Sequence, residues 1–182
     1  KFNKLNINSD TEKLLDFIRK EIIIGSKLLV FGYYGYQYYL YKANDDKKEE
    51  LYVPYYDVIS TNISDDSKSI YEKLKAYNDK IKVVEYHPFF QFMDARISFE
   101  LNGKTVLNVY GNNEMCIPSY HIPKKDIFVV TFPYMVQTLL INFMYNKTYK
   151  NFKEMETADY MLETLINSRN NFLKRHNKSI LD

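Results

Sequence analysis

The stretch Arg96-Ile97-Ser98-Phe99-Glu100-Leu101 alternates polar and apolar residues, and Asn102-Gly103 follows at once. A period of two is the mark of a half-buried strand, and Asn-Gly tolerates the positive φ that a two-residue hairpin turn requires. Residues 105–110 return as the partner strand. Such a turn sets Leu101 opposite Lys104, and regular pairing then sets Asn108 opposite Ile97. The middle of the chain is therefore committed to β structure.

Helical patterns surround it. Ser9-Asp10-Thr11-Glu12 has capping-box spacing, and Leu14, Leu15, Ile18 and Ile22 recur behind it, predicting a helix over 10–24 closed by Gly25. Residues 27–31 (KLLVF) read as a buried strand ending at Gly32. Tyr36, Tyr39 and Leu40 suit a short helix over 36–42, and 43–50 is a charged loop. Residues 51–61 return to β-formers, with Pro54 at an edge or strand entry. A turn at 62–66 leads into a helix over 67–78. Pro133 suits a first helical turn, and Val136, Leu139, Leu140 and Phe143 follow at core spacing. A last helix over 152–176 ends in Lys174, Arg175 and His176, which suit a helix C-terminus. The apolar run 127–144, broken by Pro133, Gln137 and Asn142, predicts a core helix and not a membrane span. The order predicts an α/β (α+β) fold, a small mixed sheet flanked by helices with C-terminal helices. The 182 residues fit one domain, with an α/β core over about 1–126 and a helical part over about 127–182.

Bulk charge does not announce a nucleic-acid partner, since 25 basic residues face 23 acidic ones. One cysteine, Cys116, excludes an internal disulfide, and three histidines make a zinc site a poor fit. The polar start shows no signal peptide and no initiator Met, so the numbering is expected to begin inside a longer chain. His87 reads as a packed strand residue beside aromatics. The cluster Tyr33, Tyr34, Tyr36, Tyr38, Tyr39 and Tyr41 offers base-stacking faces, but with 18 tyrosines in the chain packing is the stronger reading.

A strand ending in glycine, a helix, then a strand bearing a carboxylate has the layout of the polymerase-β-like nucleotidyltransferase core. Its chemistry needs two divalent cations, about 3.5–4 Å apart, while a 3′-hydroxyl attacks an α-phosphate. Carboxylates at i and i+2 of one strand face the same side and can share them. Here Gly32-Tyr33 stands where a small nucleotide-binding pair belongs. Tyr55-Tyr56-Asp57-Val58 stands in place of acidic-x-acidic, and Asn108 in place of the third carboxylate. Only Asp57 remains as a residual catalytic ligand, and a phenol and an amide cannot balance two dications. No metal is expected in this domain.

The run Tyr55-Tyr56-Asp57-Val58-Ile59-Ser60-Thr61-Asn62 resembles the second motif of poxvirus and mimivirus-type poly(A) polymerase catalytic subunits. The run Tyr86-His87-Pro88-Phe89-Phe90-Gln91-Phe92 and the closing helix through Asn167–Leu173 are similar to that family as well. The resemblance implies the degenerate second copy of the nucleotidyltransferase domain. It implies a partnership with an active domain of the same chain, which would use ATP with Mg²⁺ or Mn²⁺. It also implies a scaffolding role in mRNA 3′ polyadenylation, in a cytoplasmic viral factory or a virion. RNA, a second copy or an accessory subunit are the implied partners, with Arg169, Lys174 and Arg175 as candidate RNA contacts. Two rivals stand beside it: an active transferase using Asp57 with Asp94 or Glu100, and a protein-interaction module without RNA contact.

Overall fold

A computed structural model describes residues 9–44, 53–112 and 116–179. Helix α1 (Ser9–Ile18) continues as one π-helical turn, Arg19–Ile23, and buries Leu14, Leu15, Ile18, Ile22 and Ile23. Strand β1 (Leu29–Phe31) runs straight into α2 (Gly32–Ala43). Strand β2 (Tyr56–Ser60) leads through the cap Asn62 into α3 (Ile63–Tyr77). Strands β3 (Lys82–Tyr86), β4 (Arg96–Leu101), β5 (Lys104–Gly111), β6 (Ser119–Ile122) and β7 (Ile127–Val130) follow. Helices α4 (Phe132–Thr148) and α5 (Phe152–Arg175) close the order.

The seven strands form one mixed sheet in the order β3-β4-β5-β2-β1-β7-β6. β1 runs parallel to β7, and β2 parallel to β5; the other neighbours are antiparallel. Helices cover both faces of its centre, so all five residues of β2 and four in a row on β5 are buried. One face packs Val30, Val58, Leu107, Val109 and Val129 against α1 and α3. The other packs Phe31, Ile59 and Val130 against Tyr36 and Leu40 of α2, Met135 and Leu139 of α4, and Met161 and Leu165 of α5. The α/β class inferred from the order of elements is the observed one.

Several boundaries differ from the sequence reading, each for a local reason. The apolar run 127–144 is not one helix. Ile127–Val130 is a buried strand, and α4 begins only at Phe132, with Pro133 in its first turn. Helix α3 starts at Ile63, because Asn62 caps it and Asp65 and Asp66 sit in its first turn, where the macrodipole favours them. Helix α2 reaches back to Gly32, whose φ of +58° only glycine adopts cheaply. His87 lies exposed beyond the end of β3, not packed within a strand. Of the expected loop and the strand over 51–61, residues 45–52 lie outside the described residues.

The hairpin pairs Leu101 with Lys104 as expected, but Asn108 lies opposite Ser98 and not Ile97. Glu100 pairs with Thr105 and Phe99 with Leu107, so Val106 is an extra residue on β5, a β-bulge. The cause lies in the two faces of the sheet. Ile97 packs into the core under α1 and α3, so regular pairing would drive the Asn108 amide into that apolar layer. The bulge returns Asn108 to the opposite face.

Candidate functional site

On that face a polar row crosses three strands. Asp57 of β2 stands level with Asn108 of β5, which stands level with Ser98 of β4. The Ser98 hydroxyl donates to Asn108 Oδ1 at 2.5 Å, and Asn108 Nδ2 donates to Asp57 Oδ1 at 2.8 Å. All three residues are buried. The second carboxylate oxygen is pressed against the start of α2: a Cβ on Gly32 would lie 2.0 Å from Asp57 Oδ2. Glycine at position 32 therefore makes room for the carboxylate as well as meeting the backbone demand.

Burial pushes the Asp57 carboxyl up to about 6, with the Glu154 charge adding to it. The Asn108 amide, the Arg96 charge and the Tyr110 hydroxyl oppose the shift and do not overcome it. Tyr33 packs edge-on against Tyr55 with ring centroids 5.3 Å apart. Burial first, then Glu154 and Asp57, pushes the Tyr33 hydroxyl up to about 12. Burial and then Asp57 hold Tyr55 well above its ordinary value. Both phenols are thus neutral at physiological pH and offer no anionic ligand.

The row forms part of the wall of a cleft of about 1060 Å³ between the sheet, the 88–94 loop, α4 and the start of α5. Arg96 of β4 enters it with its guanidinium carbon 3.9 Å from the Tyr86 ring centroid. Its Nη1 donates to the Tyr110 hydroxyl at 3.4 Å, while Nε is buried with no hydrogen-bond partner among the described residues. Asp94 also lines the cleft, and its Oδ1 accepts from the Ala95 amide; Glu100 does not line it. Among the described residues no group of three or more His, Cys, Asp or Glu is placed to hold a metal ion. No described helix is long and apolar enough to cross a membrane.

The structure therefore brings Gly32, Tyr33, Tyr55, Asp57 and Asn108 to one place. It leaves Arg169, Lys174 and Arg175 elsewhere, on α5. The Arg169 guanidinium lies 5.6 Å from the Phe132 ring and 5.9 Å from that of Phe172. Arg175 Nη2 donates to the Ala43 carbonyl at the end of α2. Lys174 is exposed. Within the α2 tyrosines Tyr36 is buried, and the Tyr39 hydroxyl donates to the Val130 carbonyl at 2.6 Å. Sequence reasoning missed Arg96, Ser98, Tyr110 and Glu154 as neighbours of Asp57. The alternation of 96–101 puts Arg96 and Ser98 on one face, but only the bulge tells which face that is.

A model of the family described as "APMV, Putative poly(A) polymerase, catalytic subunit, C-terminal" matches residues 1–182. The chain belongs to this family. It is similar to a "Putative poly(A) polymerase catalytic subunit" of Acanthamoeba polyphaga mimivirus, 25% identical over 216 residues, covering 98% of this chain and 37% of that one. Its fold is similar to that of the Megavirus polyadenylate synthase, with TM-score 0.85 and 23% identity over 98% of this chain and 38% of that one. The chain thus spans well under half the length of the poly(A) polymerase relatives it matches.

Proposed function

We propose that this chain is a nucleotidyltransferase-like domain of a giant-virus poly(A) polymerase that has lost its own catalysis. In this reading it supports transfer of AMP from ATP to an RNA 3′ end by another domain of the same polymerase chain. Its contribution is scaffolding, together with RNA or subunit binding, in the host cytoplasm or virion.

The carrying observation is the Ser98–Asn108–Asp57 row. The one carboxylate on the strand is answered by a neutral amide on one oxygen and confined by the Gly32 backbone on the other. Two divalent cations need several oxygen anions, and here the neighbouring positions hold a phenol and an amide. The donor set does not fit the Mg²⁺ or Mn²⁺ pair that the parent reaction would use.

The test is Asp57→Asn in the polymerase that carries the domain. Metal-dependent incorporation of ATP into an oligonucleotide is expected to stay within about threefold of wild type. A ligand of the reacting metals would cost on the order of a hundredfold or more. A loss of that size in a variant that melts like wild type would restore the rival reading of an active site built on Asp57 and Asp94.

A further inference from the structure

We propose that the cleft takes an uncharged nucleobase, a free nucleoside or a base of a single-stranded RNA, without a divalent cation. The inference deepens the reading above and rests on it, because a cleft freed of metal chemistry can still recognise a ring.

Charge sets the ligand class. Among the described residues three carboxylates, Asp57, Asp94 and Glu154, line the cleft against one cation, Arg96. A triphosphate would bring several more negative charges into that field with no metal ligands to neutralise them, whereas a base brings none. The walls supply what a planar ring needs. Tyr86 lies under the Arg96 guanidinium, and Tyr145 and Tyr149 stand together with centroids 4.7 Å apart. Phe90 projects from the lining loop, 75% exposed and at a φ of +48°. Aromatic faces of this kind stack bases irrespective of sequence.

Arg96 supplies direction. Its Nε is covered by the protein, so the terminal nitrogens supply the donors, and among the described residues Nη1 makes only the long contact to Tyr110. A base carbonyl or ring nitrogen is an acceptor that suits such a guanidinium edge. The amides of Gln137 and Asn142 on the α4 wall can meet the remaining edge of the ring. Purines are expected to bind ahead of pyrimidines because they present more stacking area.

The test is calorimetric titration of the 182-residue chain in EDTA with adenosine, guanosine, ATP and a short oligo(A), and with ATP again in excess Mg²⁺. The purine nucleosides are expected to bind saturably and at least about tenfold more tightly than ATP, a difference of about 1.4 kcal/mol. Tyr149→Ala, at an exposed position, and Arg96→Lys are each expected to weaken that binding about tenfold or more while the melting temperature holds. Oligo(A) displaced by nucleoside identifies a base of RNA as the source; oligo(A) that does not compete identifies a free nucleoside. Nucleosides that fail to bind overturn the inference and leave the loss of catalysis standing. ATP that binds only with Mg²⁺, and better than nucleoside, overturns both.

Discussion

Asp57 ties stability to pH in a way that no other residue of the polar row can. Its folded pKa of about 6 lies above the ordinary 3.8, so between those values the folded state keeps a proton that the unfolded chain releases. The stability from the protonated carboxyl is complete below about pH 4 and is lost as pH rises through about 6. A shift of this size corresponds to about 3 kcal/mol. Asp57→Asn keeps the shape and an acceptor for Asn108, and it has no proton to lose. The variant is expected to flatten the decline from pH 4 to 6 and to be more stable than wild type at pH 7. Urea unfolding at several pH values measures both, and identical pH slopes in the two proteins would sink the assignment. Asp57, Asn108 and Gly32 were each legible as residues in the sequence. The hydrogen bonds that join them were not, because a single sequence does not say which residue of a neighbouring strand lies level with Asp57.

Among the elements, those with a strong period were legible. The 96–101 alternation and its Asn-Gly turn gave the hairpin, and the spacing of α1, α3 and α5 gave three helices within a few residues. β7 was hidden because a short run of apolar residues buried on both faces has no period to tell strand from helix. The run 127–144 reads as one helix, although Thr131 and Pro133 mark the break. The bulge was hidden for another reason: nothing in Thr105-Val106-Leu107-Asn108 announces an extra residue, and the need for one arises from the two layers that cover the sheet. Deletion of Val106 tests this cause. Counting back from the turn, the shortened strand still sets Asn108 opposite Ser98, now in regular pairing, so the polar row survives. The deletion is expected to cost about 1.5–3 kcal/mol, the worth of one buried valine, and to keep the pH 4 to 6 slope of the parent. A folded deletion variant without that slope would show that the bulge itself, and not the register, places Asn108.

At the scale of the molecule, α5 reaches from the cleft to the far end of α2. Glu154 in its first turn lines the cleft, and Arg175 in its last turn donates to Ala43, the final residue of α2. The last carbonyls of a helix have no partner within it and carry the negative end of its dipole, so a guanidinium there is both a hydrogen bond and a favourable charge. Lys174, one residue earlier, is exposed. Two neighbouring basic residues should therefore behave differently. Arg175→Ala is expected to lower stability by about 1 kcal/mol, since a charged hydrogen bond at a partly exposed site is worth less than a buried one. It should leave the salt dependence of oligo(A) binding unchanged. Lys174→Ala is expected to leave the melting temperature unchanged and, if RNA crosses this face, to reduce the salt slope by about one phosphate contact. Thermal unfolding and binding at several salt concentrations separate the two roles. An Arg175 variant with a shallower salt slope and unchanged melting would move that residue from the helix latch to an RNA path.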